Sequence, residues 1–294
     1  MSAQQPHQNG ASLEKDFSND ENHEHLHADL DSENALRKIR TAGSISISPE
    51  LFEKLYLSPQ NVVKGDLRKT FGNPTPLALI GFLLSLNPLA CDLMGWRGAN
   101  GGSASIGVYF FFGGLLMVLG GLGEWIMGNT FPFVVFASFG AFWLAFGATL
   151  QPFYSAYGNY ATDPSNPATG LTSIPFNSGF GFVLLAMGLL CFLYMILALR
   201  TNIVFFGIFF TLVCAFGLLT GAYWQTSNGN AKMATDLFTA AGAFAFVTCA
   251  LGWWIFFAIM LAAMDFPFQL PVGDLSTFIK PMSERRKVRE EPEV

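Results

Sequence analysis

Between Thr75 and Val272 only eight side chains carry charge: Asp92, Arg97, Glu124, Asp163, Arg200, Lys232, Asp236 and Asp265. All four histidines, His7, His23, His25 and His27, precede that stretch. It contains no Ser/His pair, no paired Asp and no metal-ligand spacing, so no enzyme and no cofactor is expected. Cys91, Cys191, Cys214 and Cys249 stand singly in apolar runs, as small packing residues rather than a disulfide framework or zinc site. His23, His25 and His27 lie among acids in a polar tail and read as solvated, with no metal. What remains is the chemistry of helix ends. In Asn73-Pro74-Thr75-Pro76-Leu77, Asn73 can cap free N–H groups and Pro74 suits the first turn, where no N–H is needed. Such an end carries the positive pole of the helix dipole and attracts an anion.

The elements that must position this motif are apolar throughout. The 294 residues are 51% hydrophobic and 13% charged, about half the charge of a soluble domain. Six charge-free runs stand out: Thr75–Cys91, Ala104–Gly123, Thr130–Leu150, Phe176–Leu199, Ile203–Trp224 and Leu237–Met264. Roughly 20 helical residues cross the ~30 Å hydrocarbon core, and open strands there would leave backbone groups unpaired. The fold expected is an all-α membrane protein of six transmembrane helices. Pro88 makes the far end of the first span irregular or interfacial. No basic stripe lies outside the tails, which argues against nucleic acid as a partner.

Lys64, Arg68 and Lys69 precede the first span, Arg200 follows the fourth, and Lys280, Arg285, Arg286, Lys287 and Arg289 follow the sixth. The opposite side carries Arg97 and Lys232. Positive residues favour the cytoplasm, so both termini are expected there. The organisation read is a cytoplasmic tail over 1–70, a membrane domain over 71–265 and a second cytoplasmic tail over 266–294. The first 41 residues are polar and aperiodic, a disordered tail by composition. Residues 49–57 place Leu51, Phe52, Leu55 and Tyr56 at the spacing of a short interfacial helix.

Small residues recur inside the spans. Gly113/Gly120 and Gly114/Gly121 are each one heptad apart, Gly140/Gly147 repeat that interval, and Gly217/Gly221 form a GxxxG. Lipid supplies no hydrophobic drive between helices, so close backbone approach at small residues is the expected packing device. Glu124, Gly128, Asn129 and Thr130 form the turn joining spans two and three. Glu124 is expected to bond free N–H groups at the start of span three through this turn.

Three motifs together resemble the acetate uptake transporters, a family that passes acetate and, in some members, succinate. The family's N-P-x-P-L-G-L start is matched by Asn73, Pro74, Pro76, Leu77 and Leu79. Its E-[YW]-x-x-G-N-T-F turn is matched by Glu124, Trp125, Gly128, Asn129, Thr130 and Phe131, and its S-[YF]-G-x-F-W segment by Ser138 to Trp143. The long acidic N-terminal tail is similar to that of fungal members. The resemblance implies six-helix protomers in homohexamers, a path through each protomer, acetate as substrate and the plasma membrane as location. It also implies an apolar constriction of Phe82, Phe139 and Leu212, with Asn73, Pro74, Thr75, Pro76 and Leu77 at the substrate entrance. Two positions depart from the pattern. Ala78 replaces a glycine, which is expected to hinder close approach there, and Phe139 replaces the tyrosine of bacterial relatives, removing a hydroxyl.

No His or carboxyl lies mid-span, so protons are expected to move with the substrate or through end groups, and an apolar gate can work by excluding water. Ser85, Asn87, Ser138, Thr149, Thr211 and Thr248 are the hydroxyl and amide groups within the spans. The alternatives are ammonia or ammonium export, for which a cation path wants acidic or aromatic lining, and a non-transporting membrane sensor.

Overall fold

The computed structural model describes residues 71–275 and two three-residue strands, β1 (Glu24–Leu26) and β2 (Ile45–Ile47), which pair in parallel. The rest of the N-terminal tail, with the interfacial helix read at 49–57, lies outside the described residues, as does the chain after Leu275.

Six helices are long and apolar enough to cross a membrane: α1 (Thr75–Leu93), α2 (Ser103–Ile126), α3 (Thr130–Leu150), α4 (Ile174–Ala198), α5 (Ile203–Ser227) and α6 (Ala231–Ala263). Their starts follow from local chemistry. Asn73 Oδ1 accepts from Thr75 N at 2.9 Å, Ser173 Oγ from Phe176 N at 3.4 Å, Asn202 Oδ1 from Phe205 N at 2.9 Å and Asn230 Oδ1 from Met233 N at 3.3 Å. Each satisfies a backbone donor that the first turn leaves free. The α2–α3 turn passes through Gly128 at φ +79°, a conformation that glycine adopts without a Cβ penalty. Within α2, Tyr109–Leu116 form wider π-type turns. The first helix continues through Pro88 to Leu93 rather than ending irregularly there.

Neighbours run in the order α3, α2, α1, α6, α5, α4. Two glycine stripes on α2 account for one side of this arrangement. A Cβ on Gly120 would fall 2.7 Å from Ala78 Cβ, and one on Gly123 2.5 Å from Pro74 Cβ, so that stripe seats α1. A Cβ on Gly114 would fall 2.3 Å from a Leu144 methyl and one on Gly121 3.1 Å from Ala137 N, so the other stripe seats α3. Gly140 and Gly147 return the contact, toward Val118 and Phe110. Ala78 does not hold the helices apart, because Gly120 lies opposite it and supplies the missing space. The GxxxG of α5 behaves differently. Nothing lies within 4 Å of a Cβ on Gly217, which is exposed, since α5 turns other faces to its neighbours. The close approach of α6 to α1 rests instead on Gly242, against Leu93 and the Ala90 carbonyl, and on Gly252, against Leu83.

The α3–α4 side is closed by side chains. Ser138 Oγ and Tyr194 OH are 3.0 Å apart, and the rings of Phe146 and Phe180 stack at 6.4 Å. After α6 the chain folds back over the α4–α5 corner. Ile203 N donates to Gly273 O at 2.8 Å, Leu275 N to Thr201 O at 3.0 Å, and Trp254 Nε1 to Pro271 O at 2.9 Å. Val272 is buried under this strap.

Candidate permeation path

The carboxyl of Glu124 sits where α1, α2 and α3 meet, fully buried. It accepts from the Thr75 hydroxyl at the start of α1 and, through Oε2, from Asn129 Nδ2 at 2.7 Å. Asn129 N in turn donates to Glu124 O at 2.8 Å. Thus Glu124 ties the first turn of α1 to the cap of α3. The sequence pointed to backbone donors for this carboxyl; side chains from two other elements supply the contacts described. Thr75 and Asn129 were both in the motifs, but their meeting through Glu124 joins residues 49 positions apart, which spacing alone does not reveal.

Beside this junction lies a small cavity of about 20 Å³, lined by Thr75, Phe131, Val135, Phe136, Thr201, Phe205 and Phe209 among others. At the opposite end of the bundle lies a larger cavity of about 510 Å³, lined by residues including Leu89, Asp92, Asn100, Phe146, Tyr223 and Thr239. Three helices line both. On α1 the order is Thr75, Phe82, Leu89; on α3 it is Phe136, Phe139, Phe146; on α5 it is Phe209, Leu212, Tyr223. At ~1.5 Å per residue, Phe82 stands about 10 Å along α1 from each cavity residue. So the middle residue of each series, Phe82, Phe139 or Leu212, falls between the two cavities. All three belong to one buried cluster. The rings of Phe82 and Phe139 meet edge to face, with centroids 5.9 Å apart.

The other motif residues take distinct places. Asn73 and Pro76 are partly buried at the start of α1 without lining the smaller cavity, Pro74 packs on Gly123, and Leu77 is exposed. Gly128 and Thr130 shape the α2–α3 turn. Thr211 and Thr248 bond each other at 2.7 Å across α5 and α6, whereas Thr149 is bonded to its own helix. The sequence did not single out Trp143 as a polar group. Its indole is buried one turn beyond Phe139, stacked on Tyr109 at 5.2 Å, and Nε1 has no hydrogen-bond partner among the described residues. It closes the S-F-G-x-F-W segment, and Gly113 makes room for it: a Cβ there would fall 2.5 Å from Trp143 Cγ.

The chain and its six-helix bundle have counterparts among known proteins. A family model described as the GPR1/FUN34/yaaH family matches residues 57–277. The chain belongs to that family. Protein alcS of Aspergillus fumigatus is 46% identical over 236 residues, covering 80% of this chain and 87% of its own. Acetate transporter protein patA of Aspergillus clavatus is 33% identical over 205 residues, covering 70% of this chain and 79% of its own. The solved structure of the bacterial acetate channel SatP superposes with a TM-score of 0.54 at 24% identity, covering 69% of this chain and 99% of that one. At that identity the superposition speaks for the fold. The membership read from the three motifs holds, and so does the six-helix membrane architecture.

Proposed function

We propose that this protein is a transporter, not an enzyme, and conducts acetate and similar small monocarboxylates through the interior of each protomer. The observation that carries this is the ordering on α1, α3 and α5: cavity, aromatic or leucine plug, cavity. The names of patA as an acetate transporter and SatP as an acetate channel support the choice of substrate.

The chain's own groups give the steps. A carboxylate is drawn to the Asn73–Thr75 end by the positive pole of the α1 dipole. Phe82, Phe139 and Leu212 offer it no hydrogen bond, so a bare anion meets a desolvation barrier there and water is excluded. Beyond the plug the unpaired N–H of Trp143 is a donor suited to a carboxylate oxygen. No His lies between Thr75 and Val272, so a proton crosses with the acid or is exchanged at groups near the helix ends. Both tails are assigned to the cytoplasm by the basic residues beside α1, after α4 and in the C-terminal tail. The broad outer faces of α2 and α4, with Phe111, Leu115, Phe182 and Leu189 exposed, fit contact with lipid and with other copies in a homo-oligomer, a hexamer in this reading, at the plasma membrane.

Proteoliposomes carrying the full chain test the substrate directly. Labelled acetate should enter faster than in empty vesicles, with and without a pH gradient. Release of ammonium with no acetate flux would replace this reading with ammonia export, and flux of neither would leave a sensor.

A further inference from the structure

Every residue that lines the larger cavity and is described is uncharged except one. Asp92, near the end of α1, is partly buried, and its carboxyl has no ion pair or hydrogen bond among the described residues. Arg97, Lys232 and Asp236 lie on neighbouring elements at the same end, yet none of them lines the cavity, and the remaining ionisable side chain that does is Tyr223. A cavity meant simply to gather anions would carry a base. This one carries an acid and no base.

Resting on the transport reading above, we propose that Asp92 is a specificity-determining residue that rejects dicarboxylates in favour of monocarboxylates at the larger cavity. The physical reason is Coulombic. A permeant held in the cavity shares it with a fixed negative charge, and the repulsion scales with the permeant's own charge. At the distances such a cavity allows, and with water present, one unit of charge alters occupancy about two- to five-fold. A monoanion tolerates that, and a neutral acid does not feel it. A dianion carries the cost twice, so the two classes separate by about two- to five-fold. Discrimination by an unpaired repulsive group is a common route to specificity. The plug does not supply it, because Phe82, Phe139 and Leu212 carry no charge.

The test uses the full chain in cells that lack their own acetate uptake, at neutral pH, with the larger cavity facing out as the orientation above requires. Labelled acetate uptake is inhibited with unlabelled acetate or with succinate, and the ratio of the two half-inhibiting concentrations is measured. Asp92→Asn should lower the succinate-to-acetate ratio about two- to five-fold. Asp236→Asn removes the same charge from the same end and should leave the ratio unchanged. In the unaltered protein the ratio should fall as ionic strength rises, because mobile ions screen the repulsion. A ratio indifferent to ionic strength overturns the proposal without any variant, and so does an unaltered ratio in Asp92→Asn that still takes up acetate. Absence of acetate uptake by the unaltered protein sinks the transport reading instead.

Discussion

The side-chain amide of Asn129 donates to Glu124 Oε2 at 2.7 Å, and both residues are sealed from solvent. With the Thr75 hydroxyl on the other oxygen, this makes one polar junction for three helices. Glu124→Ala leaves a buried hydroxyl and a buried amide without their acceptor and should cost about 2–4 kcal/mol. Glu124→Gln keeps an acceptor oxygen and should cost roughly half as much. Thermal unfolding of the purified protein in detergent checks both. Acetate flux per folded copy of the Gln variant should stay within about two-fold of the unaltered protein; a well-folded Gln variant without flux would give Glu124 a direct role in transport.

Phe82 meets Phe139 edge to face in the plug. Phe82→Ala removes that contact and opens the gap between the cavities. Acetate uptake per surface copy should rise, or larger solutes should begin to pass, at a stability cost of about 3–5 kcal/mol. Uptake unchanged in rate and selectivity at normal surface expression would remove Phe82 from the gate.

Gly120 and Ala78 share one point of contact between α2 and α1. Gly120→Ala sets a new methyl 2.7 Å from Ala78 Cβ and 2.9 Å from Ala78 N, and should destabilise by about 1–3 kcal/mol. Adding Ala78→Gly should recover part of that loss, since one of the two collisions disappears. Melting temperatures of the two single variants and the double variant decide it: no recovery would mean that the backbone contact alone sets the cost.

Tyr194 and Ser138 join α4 to α3 through a 3.0 Å bond, where the two backbones do not approach closely. Tyr194→Phe and Ser138→Ala should each cost about 1 kcal/mol. The double variant should cost little more than either, a coupling of about 0.6–1 kcal/mol. Additive losses would show that the hydroxyls act separately.

Much of this architecture is written in the apolar runs. The third span ends at the same residues in sequence and structure, Thr130 and Leu150, because the Gly128–Asn129 turn and a polar glutamine bracket it. The sixth helix starts at Ala231, well before the run that begins at Leu237, since Lys232 and Asp236 interrupt the hydrophobic pattern but not the backbone ladder. Heptad-spaced glycines on α2 announced close helix packing, and the structure seats α1 and α3 against them. The same reasoning fails for Gly217, because a small residue permits close approach without supplying the neighbour. The π-type stretch of α2 has no composition signal. The Thr75 bond to Glu124 and the lone indole N–H of Trp143 depend on which helices meet, and a linear pattern holds no record of that.

The strap after α6 is stitched to the first residues of α5 and to Thr201, which borders the smaller cavity. Tension on the polypeptide beyond Leu275 is therefore borne by the corner between the fourth and fifth rods, with Val272 as its anchor. A partner grasping that end would tug on the wall of the smaller cavity before the load reached the sixth rod.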